Sequence, residues 1–217
     1  MREGDAEGAV CSGLLSQRDF VEVRFSGSGG QGLILMGVIL AVAAVRDGRQ
    51  VVQTQSYGPE ARGGSSRSDV IIANEPIDYP QLTGADLLVA LSAPAAERYI
   101  RMLKRGGLFV FDSDLVPAPV SFKGCAFGIP FTRLAVEVTG KAQTANIVTL
   151  GAAAGLAGVV SMASLEASVR TMVPRGTEEM NMTALHHGWA LDPQQWQVGR
   201  GPAASLEELA GGASGSP

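Results

Sequence analysis

The alternation of apolar and polar residues near the start of the chain predicts a strand that leads directly into a helix. Residues 21–25 alternate between apolar and charged side chains, which is typical of a strand with one buried face. Residues 33–45 carry no charge, so this run predicts a buried helix. The glycine-rich residues 27–32 lie between the two elements and predict a tight strand-to-helix turn.

The pattern of apolar and polar residues predicts further strands and helices along the chain. Strands are predicted at residues 50–56, 69–73, 86–91 and 108–111. The continuous apolar run at 86–91 is typical of a parallel strand that is covered on both faces. A helix is predicted from Ser92 to Lys104, with Gly106 and Gly107 as its stop signal. This order predicts an α/β fold of one Rossmann-like domain, in which helices flank a wound, mostly parallel sheet.

A long stretch without charge, residues 142–165, predicts one long helix. Its length raises the possibility of a membrane span. However, it consists mostly of alanine and glycine, which gain little from lipid but allow close packing between helices. We therefore expect a helix that is buried in protein or at a subunit interface.

Composition divides the chain into three parts. Residues 1–19 are polar and aperiodic and predict a flexible leader. Residues 20–192 contain the patterned elements and predict the single domain. Residues 193–217 are largely glycine, alanine, serine and proline towards their end and predict a disordered tail.

Charge and cysteine content exclude several classes of function. The net charge of −4 and the absence of a dense basic run argue against binding nucleic acid. Cys11 and Cys125 are the only cysteines, too few for an iron–sulfur cluster, which needs about four. The N-terminus lacks the pattern of a signal peptide, so we expect a cytoplasmic protein without a membrane partner.

The glycines between the first strand and helix are the main candidate binding site. Gly27, Gly29 and Gly32 match G-x-G-x-x-G in the strand-to-helix context that this motif requires. Such a turn can offer backbone N–H groups and a helix N-terminus to a pyrophosphate. The alternative is a tight connection that binds nothing, and the spacing alone does not decide between them.

The second predicted strand bears on the identity of the nucleotide. NAD-binding folds place an Asp or Glu about 20 residues after the glycines, where it holds the ribose. Gln53, Thr54 and Gln55 occupy that region here. NAD is therefore disfavoured, while NADP stays open.

A polar loop follows this strand and contains Glu60, Arg62 and Arg67. An arginine here could hold a phosphate through two hydrogen bonds. The alternative is a surface loop in which Glu60 pairs with one of the arginines.

Two motifs in this first third of the chain resemble a known family. They are Ser26-Gly27-Ser28-Gly29-Gly30-Gln31-Gly32 and Gln55-Ser56-Tyr57-Gly58-Pro59-Glu60-Ala61-Arg62-Gly63-Gly64. Both resemble the gamma subunit of 2-oxoacid:ferredoxin oxidoreductases, in particular the 2-oxoglutarate or ketoisovalerate type. Residues 145–151 and 178–181 are similar to later motifs of the same family, and the resemblance extends over residues 21–188.

The resemblance implies a role in the oxidative decarboxylation of a 2-oxo acid to its acyl-CoA. It implies that this subunit helps to bind coenzyme A. The residues themselves show no catalytic constellation and no metal cluster, and the resemblance explains this. Thiamine diphosphate, magnesium and iron–sulfur clusters would belong to alpha and beta subunits, with a ferredoxin-like delta subunit as a further candidate partner and ferredoxin as the electron acceptor. The implied coenzyme-binding residues are Gly27, Ser28, Gly29, Gly30, Gln31, Gly32, Tyr57, Gly58, Glu60, Arg62 and Gly63.

Two other functions are compatible with the residues taken alone. The first is a free-standing nucleotide-dependent reductase, which the missing acid after the second strand disfavours. The second is a non-catalytic assembly module that binds partners through its small-residue helix.

Overall fold

A seven-stranded sheet lies at the centre of the molecule, whose structure is a computed structural model that describes residues 13–57, 65–119, 122 and 124–200. The strands are β1 (Phe20–Ser28), β2 (Gln50–Tyr57), β3 (Ser65–Ala73), β4 (Ala85–Ala90), β5 (Leu103–Asp112), β6 (Gly124–Ile129) and β7 (Gln197–Arg200). Their order across the sheet is β2-β3-β1-β4-β5-β6-β7.

Helices cover the two faces of the sheet unequally. They are α1 (Leu33–Arg46), α2 (Ala93–Tyr99), α3 (Phe131–Thr139), α4 (Ala145–Ala157), α5 (Met162–Met172), α6 (Glu178–Trp189) and α7 (Pro193–Trp196). The larger core contains side chains of α1 and α3–α6 together with Val23, Phe25 and Val89 of the sheet. A smaller core packs α2 against the other face, around Phe109 and Phe111.

Strand direction divides the sheet into a parallel centre and antiparallel edges. β1, β4, β5 and β6 run parallel to one another. β2 and β3 form a hairpin that pairs with β1 through β3, and β7 pairs antiparallel with β6. The predicted α/β class with flanking helices is confirmed. The sheet is mixed rather than mostly parallel, because seven residues, 58–64, separate β2 from β3, and a parallel pair needs a crossover of about a dozen or more.

The helix predicted to continue to Lys104 ends earlier, and this prediction is wrong. α2 ends at Tyr99, and β5 already begins at Leu103 after a short 3-10 turn. Gly107 is required by the sheet, because a Cβ there would lie 2.9 Å from the carbonyl oxygen of Asp86. This glycine therefore allows close strand pairing and is not a helix stop.

The charge-free stretch forms two helices, so the prediction of one long helix is also wrong. α4 ends at Ala157 and is capped by Gly158, whose φ of 70° is left-handed, and α5 starts only at Met162. Most residues of α4 are buried. In the described part of the chain, no helix is both long enough and apolar enough to cross a membrane.

The structure extends beyond both predicted domain boundaries. In the predicted leader, the Gly13 N–H donates to the Leu156 carbonyl at 2.7 Å, and Leu15 is buried. In the predicted tail, residues 193–200 form α7 and β7. Residues 1–12 and 201–217 lie outside the described residues, so the rest of both predictions stays a prediction.

Candidate functional site

The glycine turn joins β1 to α1 as the sequence predicts. Gly30 has φ 91°, and Gly32 is the N-cap of α1 with φ 73° and ψ 19°. Both values are left-handed, a region that glycine enters without the steric penalty of a Cβ. Gly29 is not among the described glycines with positive φ, so only two of the turn glycines are required by backbone conformation.

The Gln31 side chain holds this turn in place. Its Oε1 accepts from the Ser28 N–H at 2.6 Å, and its Nε2 donates to the Leu91 carbonyl at 2.8 Å. Gly27 leaves room for this arrangement, because a Cβ there would overlap the Gln31 amide and lie 3.2 Å from Leu91 Cβ. Gln31, which the resemblance implied to bind the coenzyme, therefore has both ends of its amide occupied by backbone.

Other backbone donors of the turn remain open. Within the described residues, the N–H groups of Gly29, Gly30 and Gly32 form no hydrogen bond. The N-cap of α1 also lacks a side-chain cap. Uncapped N–H groups at a helix start, together with the helix dipole, favour an anion such as phosphate.

A cleft of about 240 Å³ opens beside the turn. Leu91 and Asp112 contribute to its wall from the carboxyl ends of β4 and β5, while Thr132 and Asn146 contribute from the first turns of α3 and α4. Neither α3 nor α4 has an N-terminal side-chain cap of its own. The cleft therefore lies where ligands bind in open α/β sheets, beyond the carboxyl ends of parallel strands.

Asp112 is the buried carboxyl group of this cleft, with 2% of its surface exposed. Burial raises its pKa, and the Asp114 carboxylate adds to this effect, while N–H donation from Asp114 and Thr132 opposes it. Asp112 directly follows the predicted strand 108–111, and the sequence pattern assigned it no role in a site. A signal in the sequence could have identified it: a carboxylate directly after an apolar strand lies at the carboxyl end of that strand, where ligands bind in open α/β sheets.

The motif of residues 55–64 starts at the same edge of the sheet as the glycine turn. Tyr57 is paired with Ser66, and Ser66 is paired with Gly27 across β3. Two strand spacings put the Tyr57 Cα roughly 10 Å from that of Gly27. Gly58, Glu60, Arg62 and Gly63 lie outside the described residues, so their predicted contacts stay predictions.

The second strand does not lie beside the glycine turn, so the residues at its end do not bear on whether NAD binds there. β3 separates β2 from β1, so Gln53 and Thr54 are not beside the glycine turn. Thr54 and Gln55 instead line a separate cavity of about 580 Å³. The nearest strand-end carboxylate in the described structure is Asp112, on a strand that the spacing rule does not consider.

A buried ion pair lines that separate cavity. Arg24 donates from Nε and Nη2 to the two Asp69 carboxylate oxygens, at 2.7 and 2.6 Å. Its guanidinium also stacks over the Tyr99 ring, 4.7 Å from the centroid. Arg67 lies 3.7 Å from Asp69, so this arginine has a carboxylate neighbour other than the predicted Glu60.

Known proteins with similar sequences include subunits of 2-oxoglutarate synthase and of ketoisovalerate oxidoreductase. The chain is 47% identical over 171 residues to the 2-oxoglutarate synthase subunit KorC of Methanocaldococcus jannaschii, covering 77% of this chain and 91% of the relative. It is 37% identical to the ketoisovalerate oxidoreductase subunit VorA of Methanothermobacter thermautotrophicus, over 78% of this chain and 36% of that one.

A solved structure and a family model agree with these relatives. The gamma subunit of a keto/oxoacid ferredoxin oxidoreductase from Geobacter sulfurreducens superimposes with a TM-score of 0.75 at 42% identity, covering 83% of this chain and 99% of that one. The model described as pyruvate ferredoxin/flavodoxin oxidoreductase matches residues 22–191. These findings confirm the resemblance seen in the sequence. The chain belongs to the pyruvate ferredoxin/flavodoxin oxidoreductase family, as a gamma subunit of a 2-oxoacid:ferredoxin oxidoreductase.

Proposed function

We propose that this subunit helps to bind coenzyme A in a complex that oxidatively decarboxylates 2-oxoglutarate to succinyl-CoA. The choice of 2-oxo acid is supported by relatives from four strains, 40–47% identical, that are named 2-oxoglutarate synthase subunits. Membership of the family leaves the free-standing reductase without support.

The open N–H groups of the glycine turn are the observation that carries the coenzyme role. Gly29, Gly30 and Gly32 offer donors at the start of α1, and pyrophosphate is the part of coenzyme A that such donors recognise. The cleft of about 240 Å³ is smaller than typical pockets for whole ligands, roughly 300–1,000 Å³. It therefore fits the pyrophosphate alone, and the rest of the coenzyme extends towards other parts of the complex.

The remaining chemistry belongs to partner subunits in this proposal. Thiamine diphosphate with magnesium supplies the carbanion sink, and iron–sulfur clusters pass electrons to ferredoxin. We assign these groups to alpha and beta subunits. The residues of this chain position the acyl acceptor, and Gln31 and Gly27 hold the turn. We predict that the loop of Tyr57, Gly58, Glu60, Arg62 and Gly63 faces the partner's active site, with Glu60 and Arg62 ordering the loop or contacting the ligand.

Substituting Gly29 tests the proposal. Because Gly29 does not have a positive φ, Gly29→Ala and Gly29→Val add bulk to the turn without left-handed strain. In the reconstituted complex we expect the KM for coenzyme A to rise with side-chain size, by tenfold or more for Val, roughly the effect of one lost hydrogen bond to a charged group.

The control is a half-reaction that does not need coenzyme A. Decarboxylation of the 2-oxo acid with reduction of the clusters, followed in a single turnover, should be unchanged in both variants. If Gly29→Val assembles normally and its coenzyme A dependence equals that of the wild type, the turn is only a connection and the proposed role is wrong.

A further inference from the structure

We propose that Asn146 is a further ligand-binding residue of the cleft, whose side-chain amide donates to the pyrophosphate of the coenzyme. This inference rests on the proposed function. Asn146 lies in the first turn of α4 and lines the cleft beside the glycine turn. It falls in residues 145–151, which resemble a family motif, but neither the glycine motif nor the polar loop gives it a role.

Close packing directs the Asn146 side chain to the turn. A Cβ at Gly32 would lie 2.9 Å from Asn146 Cγ and 3.0 Å from its Cβ, and would overlap its Nδ2. Gly32 thus meets two requirements at once: a left-handed backbone and room for the amide of Asn146. Any larger residue at position 32 would push this amide away from the open N–H groups.

The side-chain amide of Asn146 differs in its hydrogen bonding from those of the other two asparagines. Among the described residues its side chain forms no hydrogen bond, whereas Asn74 bonds to Asp19 and Asn181 bonds to Thr177. The neighbouring Gln31 amide is also occupied at both ends. Asn146 is therefore the asparagine whose donor stays available to a ligand, and it is placed next to the donors of the turn.

The charge of the cleft explains why an amide suits this position. The buried Asp112 carboxyl lines the same wall, so a second acid would repel an anionic ligand. A neutral donor adds a hydrogen bond to phosphate without requiring a counterion inside the cleft. The hydrogen bond would be charge-assisted, which is the stronger kind.

The variant Asn146→Asp separates this role from a purely structural one. Aspartate has the same shape, and near the N-terminus of α4 a carboxylate is favourable to the helix. If Asn146 only packs against Gly32, the variant should therefore behave as the wild type. If Asn146 donates to pyrophosphate, the variant loses the donor and places a negative charge against the ligand.

The experiment measures ligand binding to the reconstituted complex. We expect Asn146→Asp to raise the Kd for coenzyme A by tenfold to a hundredfold, roughly the range for a lost hydrogen bond to a charged group. The thermal midpoint of the complex and the KM for the 2-oxo acid should be unchanged. Pantetheine, which lacks the phosphates, should compete equally well with either form. Asn146→Ala, which removes the amide without adding charge, should show a smaller loss in the same direction.

Two outcomes would overturn the inference. The first is a wild-type Kd for coenzyme A in Asn146→Asp. The second is an equal loss of coenzyme A and pantetheine affinity in both variants. Gly29→Val is measured in parallel: if it weakens coenzyme A binding while Asn146→Asp does not, only this inference is wrong, and if neither does, the proposed function is wrong too.

Discussion

The crossing of α4 and α6 depends on glycines, and replacing one of them should destabilise the protein. A Cβ at Gly188 would overlap the Val148 carbonyl oxygen and lie 2.9 Å from its carbon and 3.0 Å from the Ala152 nitrogen. A Cβ at Gly151 would overlap the Leu185 carbonyl oxygen on α6. Because these obstacles are backbone atoms, no rotamer change can relieve them, and the helices must separate.

The expected magnitude follows from two opposing effects in Gly188→Ala. Alanine is favoured over glycine in a helix interior by about 1 kcal/mol. Overpacking of a close interface costs about 1–3 kcal/mol and occasionally more, and the backbone contacts place Gly188 at the upper end. We expect a net loss of about 2 kcal/mol, which lowers the thermal midpoint by roughly 4–8 °C for a chain of this size.

Gly155, on α4 at the same helix crossing, provides the matched control. A Cβ there would lie 3.2 Å from the Trp189 carbonyl oxygen, close enough to require only a small adjustment. The gain in helix propensity offsets that cost, so Gly155→Ala should stay within about 1 kcal/mol of the wild type. Urea and thermal unfolding of the three proteins give the comparison. Equal stability of Gly188→Ala and the wild type would refute the described crossing.

Three further predictions concern charge and metal content. Arg24→Leu leaves Asp69 buried without its bidentate partner and should cost about 3–5 kcal/mol in urea unfolding, whereas adding Asp69→Leu should restore most of that loss; an additive double variant would contradict this. The folded-state pKa of Asp112 is raised from the ordinary value of 3.8 by burial, so its ionisation costs stability as pH rises above 3.8. The thermal midpoint of Asp112→Asn relative to the wild type should therefore be higher at pH 7 than at pH 4, and a pH-independent difference would count against it. The purified subunit should be colourless and free of iron, because the chain has only two cysteines; elemental analysis that finds stoichiometric iron would contradict this.

Local chemistry explains why β1, the glycine turn and α1 could be predicted from the sequence. Period-two alternation, glycines at the turn and an uncharged helix all act within about 25 residues of one another. The turn conformation follows from the same residues, since left-handed φ values fall on Gly30 and Gly32. Consistent local signals of this kind specify structure without tertiary information.

The missed features depend on residues that are distant in sequence. Gly107 resembled a helix stop, but its role is set by the Asp86 carbonyl on the neighbouring strand. The antiparallel direction of β3 depends on the connection from β2, whose residues showed only a polar loop pattern. Asp112 lines the cleft beside the glycine turn because parallel strands align their carboxyl ends. Asn146 reaches it because the first turn of α4 packs against Gly32, and no spacing along the chain reveals either contact.

The pairing of residues 13–15 with the end of α4 has a consequence for synthesis of the chain. The N–H groups of Gly13 and Leu15 donate to the Leu156 and Ala157 carbonyls, so this segment completes a helix terminus that is made about 140 residues later. At about 5–20 residues per second, that interval is roughly 7–28 s. Throughout it Leu15, which is almost fully buried in the finished protein, belongs to a core that still lacks α4. The growing chain thus keeps this segment without its hydrogen-bond acceptors until the end of α4 has been made.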